Sequence, residues 1–146
     1  MPKSVRILED TVLADAAFEA SGDTLAELFE AATQAIIELM ADPKTVSSDW
    51  QDEIDLYEED VTALLFEWLS HLVFLKDARG VVFQKAHVTV CYDQQGKRWA
   101  LHGTILGEAI NPSRQTLRSD IKAVTKHQYS LREKDGRWIA RIVLDL

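Results

Sequence analysis

Cysteine is nearly absent from this chain of 146 residues. The single Cys91 cannot close an intramolecular disulfide. With four scattered histidines (His71, His87, His102 and His127) it cannot build a zinc site either. Its strand-like setting, His87-Val88-Thr89-Val90-Cys91-Tyr92, reads as a small buried side chain without reactivity. The six glycines and three prolines form no phosphate-cradling loop, dinucleotide fingerprint, linker or low-complexity segment. No serine sits in a nucleophile elbow. No apolar run approaches the roughly 20 residues that cross a bilayer. Met1-Pro2-Lys3-Ser4-Val5-Arg6 is not followed by a signal-peptide core, so the expectation is a cytoplasmic protein with no membrane partner. Chemistry on a substrate of its own is poorly supported, which favours a binding or accessory protein.

Positive charge is scarce in the first part of the chain. Residues 1–60 carry 16 acids against Lys3, Arg6 and Lys44, a net of −13; residues 61–146 carry 8 acids against 13 bases, a net of +5, and the two sum to the overall −8. The densest acidic stretch runs from Asp49 to Asp60. It reads either as a solvated face or as a surface for a basic protein partner.

Hydrophobic periodicity organises the rest. Ser4–Glu9 and Ala16–Ser21 alternate like short strands. Thr24-Leu25-Ala26-Glu27 is a capping box, followed by Leu25, Leu28, Phe29, Ala32, Ile36, Leu39 and Met40 at helical spacing, with Pro43 as the stop. Gln51–Tyr57 alternates as a strand with an acidic outer face. A second helix is expected from about Asp60 to Lys76, with Gly80 at its exit. Glu67 and His71, one turn apart on it, are expected to face solvent away from the apolar stripe. Val81–Phe83, Ala86–Tyr92 and Arg98–Leu106 read as strands, Gly107–Arg114 as a loop. Ile121–Glu133 and Arg137–Leu144 form a hairpin across Lys134-Asp135-Gly136. The expected fold class is α+β: a single domain over 1–146, with two amphipathic helices covering a face of a mostly antiparallel sheet of about seven strands.

Two acids draw attention as ligands. Asp145 stands one residue from the α-carboxylate of Leu146. Asp15 lies in an apolar segment, Val12 to Phe18, where an unpaired charge is costly. Converging in space, these oxygens would bind a hard cation, Ca²⁺ or Mg²⁺. Alternatively, Asp145 is a solvated terminal residue and Asp15 caps a turn. Lys122 and Lys126 share a strand face with Val124. They would contact phosphate or an acidic protein, or keep a strand edge soluble. His127 is the one loose candidate for a general base.

Several stretches, in order, resemble the archease family: Gly22-Asp23-Thr24-Leu25-Ala26-Glu27-Leu28-Phe29; Leu64-Leu65-Phe66-Glu67-Trp68-Leu69 with Leu75-Lys76-Asp77-Ala78-Arg79-Gly80; Gly107-Glu108 with Asn111-Pro112; Lys122-Ala123-Val124-Thr125-Lys126-His127; and Gly136-Arg137-Trp138 running to Asp145. The resemblance implies a non-enzymatic activator of the tRNA-splicing RNA ligase that promotes its guanylylation and multiple turnover. It implies a divalent-metal site of Asp15, Asp145 and the Leu146 carboxylate. Beside it, the residues themselves offer Lys122, Lys126 and His127 as expected partner or phosphate contacts. Direct RNA binding is left open. The family is also linked to chaperone-like modulation of a tRNA methyltransferase. A metal-dependent hydrolase or small-molecule-binding domain using the same acids is the alternative of another class. The family's Asp-His-Thr-Ala-Asp segment reads Thr11-Val12-Leu13-Ala14-Asp15 here, so a weaker or vestigial metal site is expected.

Overall fold

Thr24 starts the first helix as its sequence requires. In the computed structural model, which describes residues 3–8 and 15–146, its hydroxyl accepts the Glu27 N–H at 3.1 Å while the Glu27 carboxylate accepts the Thr24 N–H at 3.1 Å. Helix α1 then runs over Leu25–Met40 and ends before a short 3-10 turn at Pro43–Thr45. Helix α2 covers Val61–Arg79; the Asp60 carboxylate accepts the Thr62 N–H, and Gly80 closes it at φ 63°, a left-handed conformation that glycine adopts without strain. Glu9 of the first expected strand and the segment Thr11–Ala14 lie outside the described residues.

Among the described residues, seven antiparallel strands form two sheets. Strands β1 (Ser4–Leu8), β2 (Asp15–Gly22), β7 (Arg137–Asp145) and β6 (Ala123–Lys134) make the first, in that spatial order; β3 (Trp50–Glu58), β5 (Arg98–Ala109) and β4 (Val81–Asp93) make the second. The expected α+β domain is therefore present, with one difference of layering. The helices do not cover one sheet: α1 packs on β1, β2 and β7 and also on β4, while α2 packs on β6 and also on β3, β4 and β5. Both helices lie against both sheets. Their apolar arcs are correspondingly wide, with Ala31, Thr33, Ala35 and Ile37 of α1 buried beside the expected Leu28, Phe29, Ala32, Ile36 and Met40.

Trp68 of α2 sits at the centre, fully buried with Phe18, Leu28, Phe29 and Phe83. Its indole N–H donates to the Thr33 hydroxyl at 2.8 Å, which donates in turn to the Phe29 carbonyl at 2.6 Å. The indole ring occupies the space a side chain at position 103 would need: a Cβ on Gly103 would fall 2.6 Å from it. The expected face of Trp99, Leu101, Gly103 and Ile105 against Tyr92, Val90 and Val88 holds in the β4–β5 register.

Three local expectations are corrected. Strand β5 continues through Gly107 to Ala109 rather than yielding to a loop. Glu108 at its end is buried, and its carboxylate accepts the Ser47 N–H at 3.0 Å and the Gln115 side-chain amide at 2.9 Å, with Arg114 as ion-pair partner. Cys91 is exposed, not buried, because the two-residue period puts Val88 into the core and therefore turns His87, Thr89 and Cys91 outward. Glu67 and His71 do not form a solvent-facing pair, as described below.

Candidate metal centre

The first sheet turns one face to the helices and the other outward. On β2, Phe18 and Ala20 point to the core; on β7, Ala140, Ile142 and Leu144 do so. Alternation then sends Asp15, Ala17, Glu19 and Ser21 outward from β2, and Ile139, Arg141, Val143 and Asp145 outward from β7. The register pairs Phe18 with Ile142 and, at the end of the ladder, Asp15 with Asp145. Directly opposed residues have Cβ atoms about 4.5–5.5 Å apart. The two carboxylates thus project from adjacent strands on the same outward face.

Their surroundings follow from the same rows. Asp145 is flanked on its other side by Ala123 of β6, and the Lys122 N–H donates to the Asp145 carbonyl at 2.7 Å. The next row holds Ala17, Val143 and Thr125, with Ala17 and Val143 at 1% and 2% exposure. The row after it is ionic: Arg6 meets Glu19 at 3.1 Å, and Arg141 donates to the Gln128 side chain at 2.8 Å. Gln128 belongs to a bulge between Thr125 and Ser130, where its φ of 55° turns the chain.

The remaining expected site residues divide. Leu146 is half-buried and packs on the core. Val124 points inward opposite Leu144, so Lys126, on its side of the strand, faces α2 rather than the carboxylates; its ammonium lies 4.1 Å from the centre of the Phe66 ring. Lys122 lines a small cleft with Ser70, Phe74 and Asp77 of the same helix. His127 is exposed on the bulge. The structure brings Asp15 and Asp145 together. It does not set Lys122 and Lys126 on a flat outward stripe.

Two hard oxygen donors of like charge, side by side on a strand pair, suit a hard divalent cation, which would relieve their repulsion. Among the described residues no three His, Cys, Asp or Glu side chains stand close enough to share one. Within the described residues, further protein oxygens would come from main-chain or terminal groups.

A second acidic arrangement escaped the sequence reading. Glu67 reaches across from α2 toward Glu58 of β3, and its Oε2 is enclosed without a hydrogen-bond partner among the described residues. Two touching carboxyls with no donor between them need a shared proton. The contact with Glu58, aided by burial and by the Glu58 charge, pushes the Glu67 carboxyl up to about 7. His71 lies along the same seam with an enclosed, unpartnered Nε2; burial lowers its pKa, opposed by the charge of Asp52. The signal was present: Asp52 and Glu58 share the parity of Ile54 and Leu56 and so face inward.

Fold and site define a two-sheet α+β protein whose outer face carries a carboxylate pair. Among the described residues no helix is long and apolar enough to cross a membrane. The chain belongs to the archease family, whose pattern matches residues 6–146. It is 36% identical over 135 residues to the protein archease of Methanothermobacter thermautotrophicus, covering 92% of this chain and 94% of that one. It is 33% identical to the protein archease of Methanopyrus kandleri over 91% of this chain and 94% of that one. The solution structure of Methanobacterium thermoautotrophicum protein 1598 superposes with a TM-score of 0.79 at 33% identity, covering 97% of this chain and 98% of that one. An archease of Thermotoga maritima, described as a possible chaperone, shares the fold at a TM-score of 0.62 and 18% identity, over 95% of this chain and 98% of that one.

Proposed function

We propose that this protein is a non-enzymatic accessory factor that activates a tRNA-splicing RNA ligase, promoting its guanylylation and multiple turnover. The reading rests on family membership and on one observation, the direct opposition of Asp15 and Asp145 across β2 and β7. In it, these carboxylates and the Leu146 carboxylate hold a Ca²⁺ or Mg²⁺ ion, which offers open positions to a phosphate or to a ligase oxygen. An activator works only through a difference in affinity between two states of its target. A metal presented on a rigid strand pair supplies such a difference if one ligase state alone completes its coordination. Lys122, just before β6, and His127, on its bulge, are contacts to the ligase or to phosphate. Lys126 contributes once it leaves the Phe66 ring.

The test is a turnover assay. Added in small amounts to its cognate ligase with GTP and a divalent metal, the protein should raise the number of joined ends per ligase. Asp145→Ala should abolish that gain while the variant stays folded. A ligase indifferent to the folded protein over a wide concentration range would overturn the reading. The second reading, chaperone-like assistance to a tRNA methyltransferase, is favoured by the description of the Thermotoga maritima protein as a possible chaperone. It predicts improved solubility of the methyltransferase instead of ligase turnover.

A further inference from the structure

Lys76 carries a buried charge outside the carboxylate site. It stands in the last turn of α2, and only 7% of its side chain is exposed. Its ammonium lies 2.8 Å from the Asp77 carboxylate and also pairs with the Asp120 carboxylate. Those two acids are 61% and 76% exposed. The arrangement is lopsided: the carboxylates keep their water, while the lysine gives up its own. Desolvating an ammonium is costly, and an ion pair with a buried member is weak evidence of net stability. The best-attested use of such a pair is to fix one arrangement of the chain against others.

Asp120 belongs to a strap, residues 116–122, that joins three elements. At its start the Arg118 and Ser119 N–H groups donate to the Met40 and Leu39 carbonyls at 2.9 and 2.8 Å, which fastens it to the end of α1. Asp120 then reaches Lys76 of α2. Ile121 is fully buried, and the Lys122 N–H donates to the Asp145 carbonyl at 2.7 Å. Strand β6 begins at the next residue, Ala123, which pairs with Asp145. Asp145 is the last residue of β7, and element ends fray unless their neighbours hold them. One side of this end is held by Asp15 of β2, the other by the end of the strap. Asp120 is two positions from the N–H that makes the second hold.

We propose that Lys76 and Asp120 are positioning residues for the carboxylate site: by clamping the strap to α2 they set the Lys122 N–H that fixes the end of β7, and so hold Asp145 where it shares a cation with Asp15. This role rests on the metal reading of that pair but falls to residues outside it. Asp77 supplies an internal control. It pairs with the same ammonium, yet it is the next residue of the same helix, so its loss leaves the strap clamped. Asp77→Asn and Asp120→Asn remove the same charge from the same lysine, and only the second frees the strap.

Calorimetric titration of the full chain with Ca²⁺, and separately with Mg²⁺, tests it alongside hydrogen exchange at the Lys122 amide. Asp120→Asn and Lys76→Met should each weaken binding about tenfold, the low end of what is lost with a partner that orients a metal ligand. Both should speed exchange at Lys122. Asp77→Asn should do neither, and Asp120→Glu, which keeps the carboxylate, should bind like the wild type. Lys76→Met leaves two solvated acids and no buried charge, so its melting temperature should not fall. Asp120 is exposed, so Asp120→Asn folds and carries the test even where Lys76→Met does not. Given a wild type that binds the cation, three results overturn the proposal: undiminished affinity in Asp120→Asn, an equal loss in Asp77→Asn, or a loss of affinity with exchange at Lys122 unchanged. A wild type that binds neither cation overturns the metal reading itself, and the positioning role falls with it.

Discussion

Glu67 on α2 meets Glu58 on β3 carboxyl to carboxyl, and this contact favours the protonated form of Glu67. The Glu67 pKa is raised to about 7, above its ordinary 4.5. The folded state therefore keeps a proton that the unfolded state releases. Its contribution to stability is complete below the ordinary value and is lost as pH rises through the folded one. His71, lowered by burial, acts oppositely: the folded state resists protonation, so its contribution is lost as pH falls through the ordinary histidine value.

The Glu67 effect is isolated by Glu67→Gln, whose amide donates to Glu58 at any pH. Melting temperature measured from pH 4.5 to 8 should fall for the wild type relative to this variant, with most of the divergence between the ordinary value and about 7. Parallel profiles would show that no proton is shared.

The carboxylate pair carries its own signature in the absence of ligase. Without divalent cations, Asp15→Asn should raise stability by about 0.5 kcal/mol, because like charges directly opposite on a strand pair repel. With millimolar Ca²⁺ or Mg²⁺ the wild type should gain melting temperature, while Asp15→Asn and Asp145→Asn should not. A wild type that ignores both ions would leave Asp15 and Asp145 as a solvated pair.

Thr33 links the helices through its hydroxyl, which donates to the Phe29 carbonyl and accepts from the Trp68 indole. Thr33→Val preserves shape but strands the indole N–H in the core. Leaving a buried donor unsatisfied costs about 1–3 kcal/mol. Urea unfolding should show that loss, and Trp68 fluorescence should report the change of partner.

Glu108 ties Ser47, Arg114 and Gln115 around the segment after β5. Glu108→Ala removes the acceptor of two N–H groups and one guanidinium. The expected cost is about 3 kcal/mol, from several donors left short of a partner. Limited proteolysis should cut within residues 110–120 before the rest of the chain unfolds. Resistance equal to the wild type would mean that Pro112 and the surrounding turns hold the segment alone.

Much of the fold is local and was legible. The Thr24–Glu27 capping box, the helical spacing from Leu25 to Met40, the Gly80 stop and the Asp135-Gly136 turn each act over a few residues. The alternation of β3, β4 and β5 is likewise written in the chain. The site was legible only in part. Asp15 and Asp145 stand out as chemistry, but 130 positions separate them, and their opposition depends on the register of β2 against β7. Lys126 illustrates the limit: parity with Val124 was visible, but not that this face meets the Phe66 ring of α2.

By itself the sequence determined which segments are helix and strand, where they start and stop, and which residue types lie at hand for binding. Tertiary structure alone decided that both helices pack against both sheets and that Glu67 turns toward Glu58 instead of solvent. Periodicity records how many faces of an element are apolar, because each residue's orientation follows from its own backbone. Which other element covers a given face depends on register and layering. Those are set by the packing of residues far apart in the chain, which no short window contains.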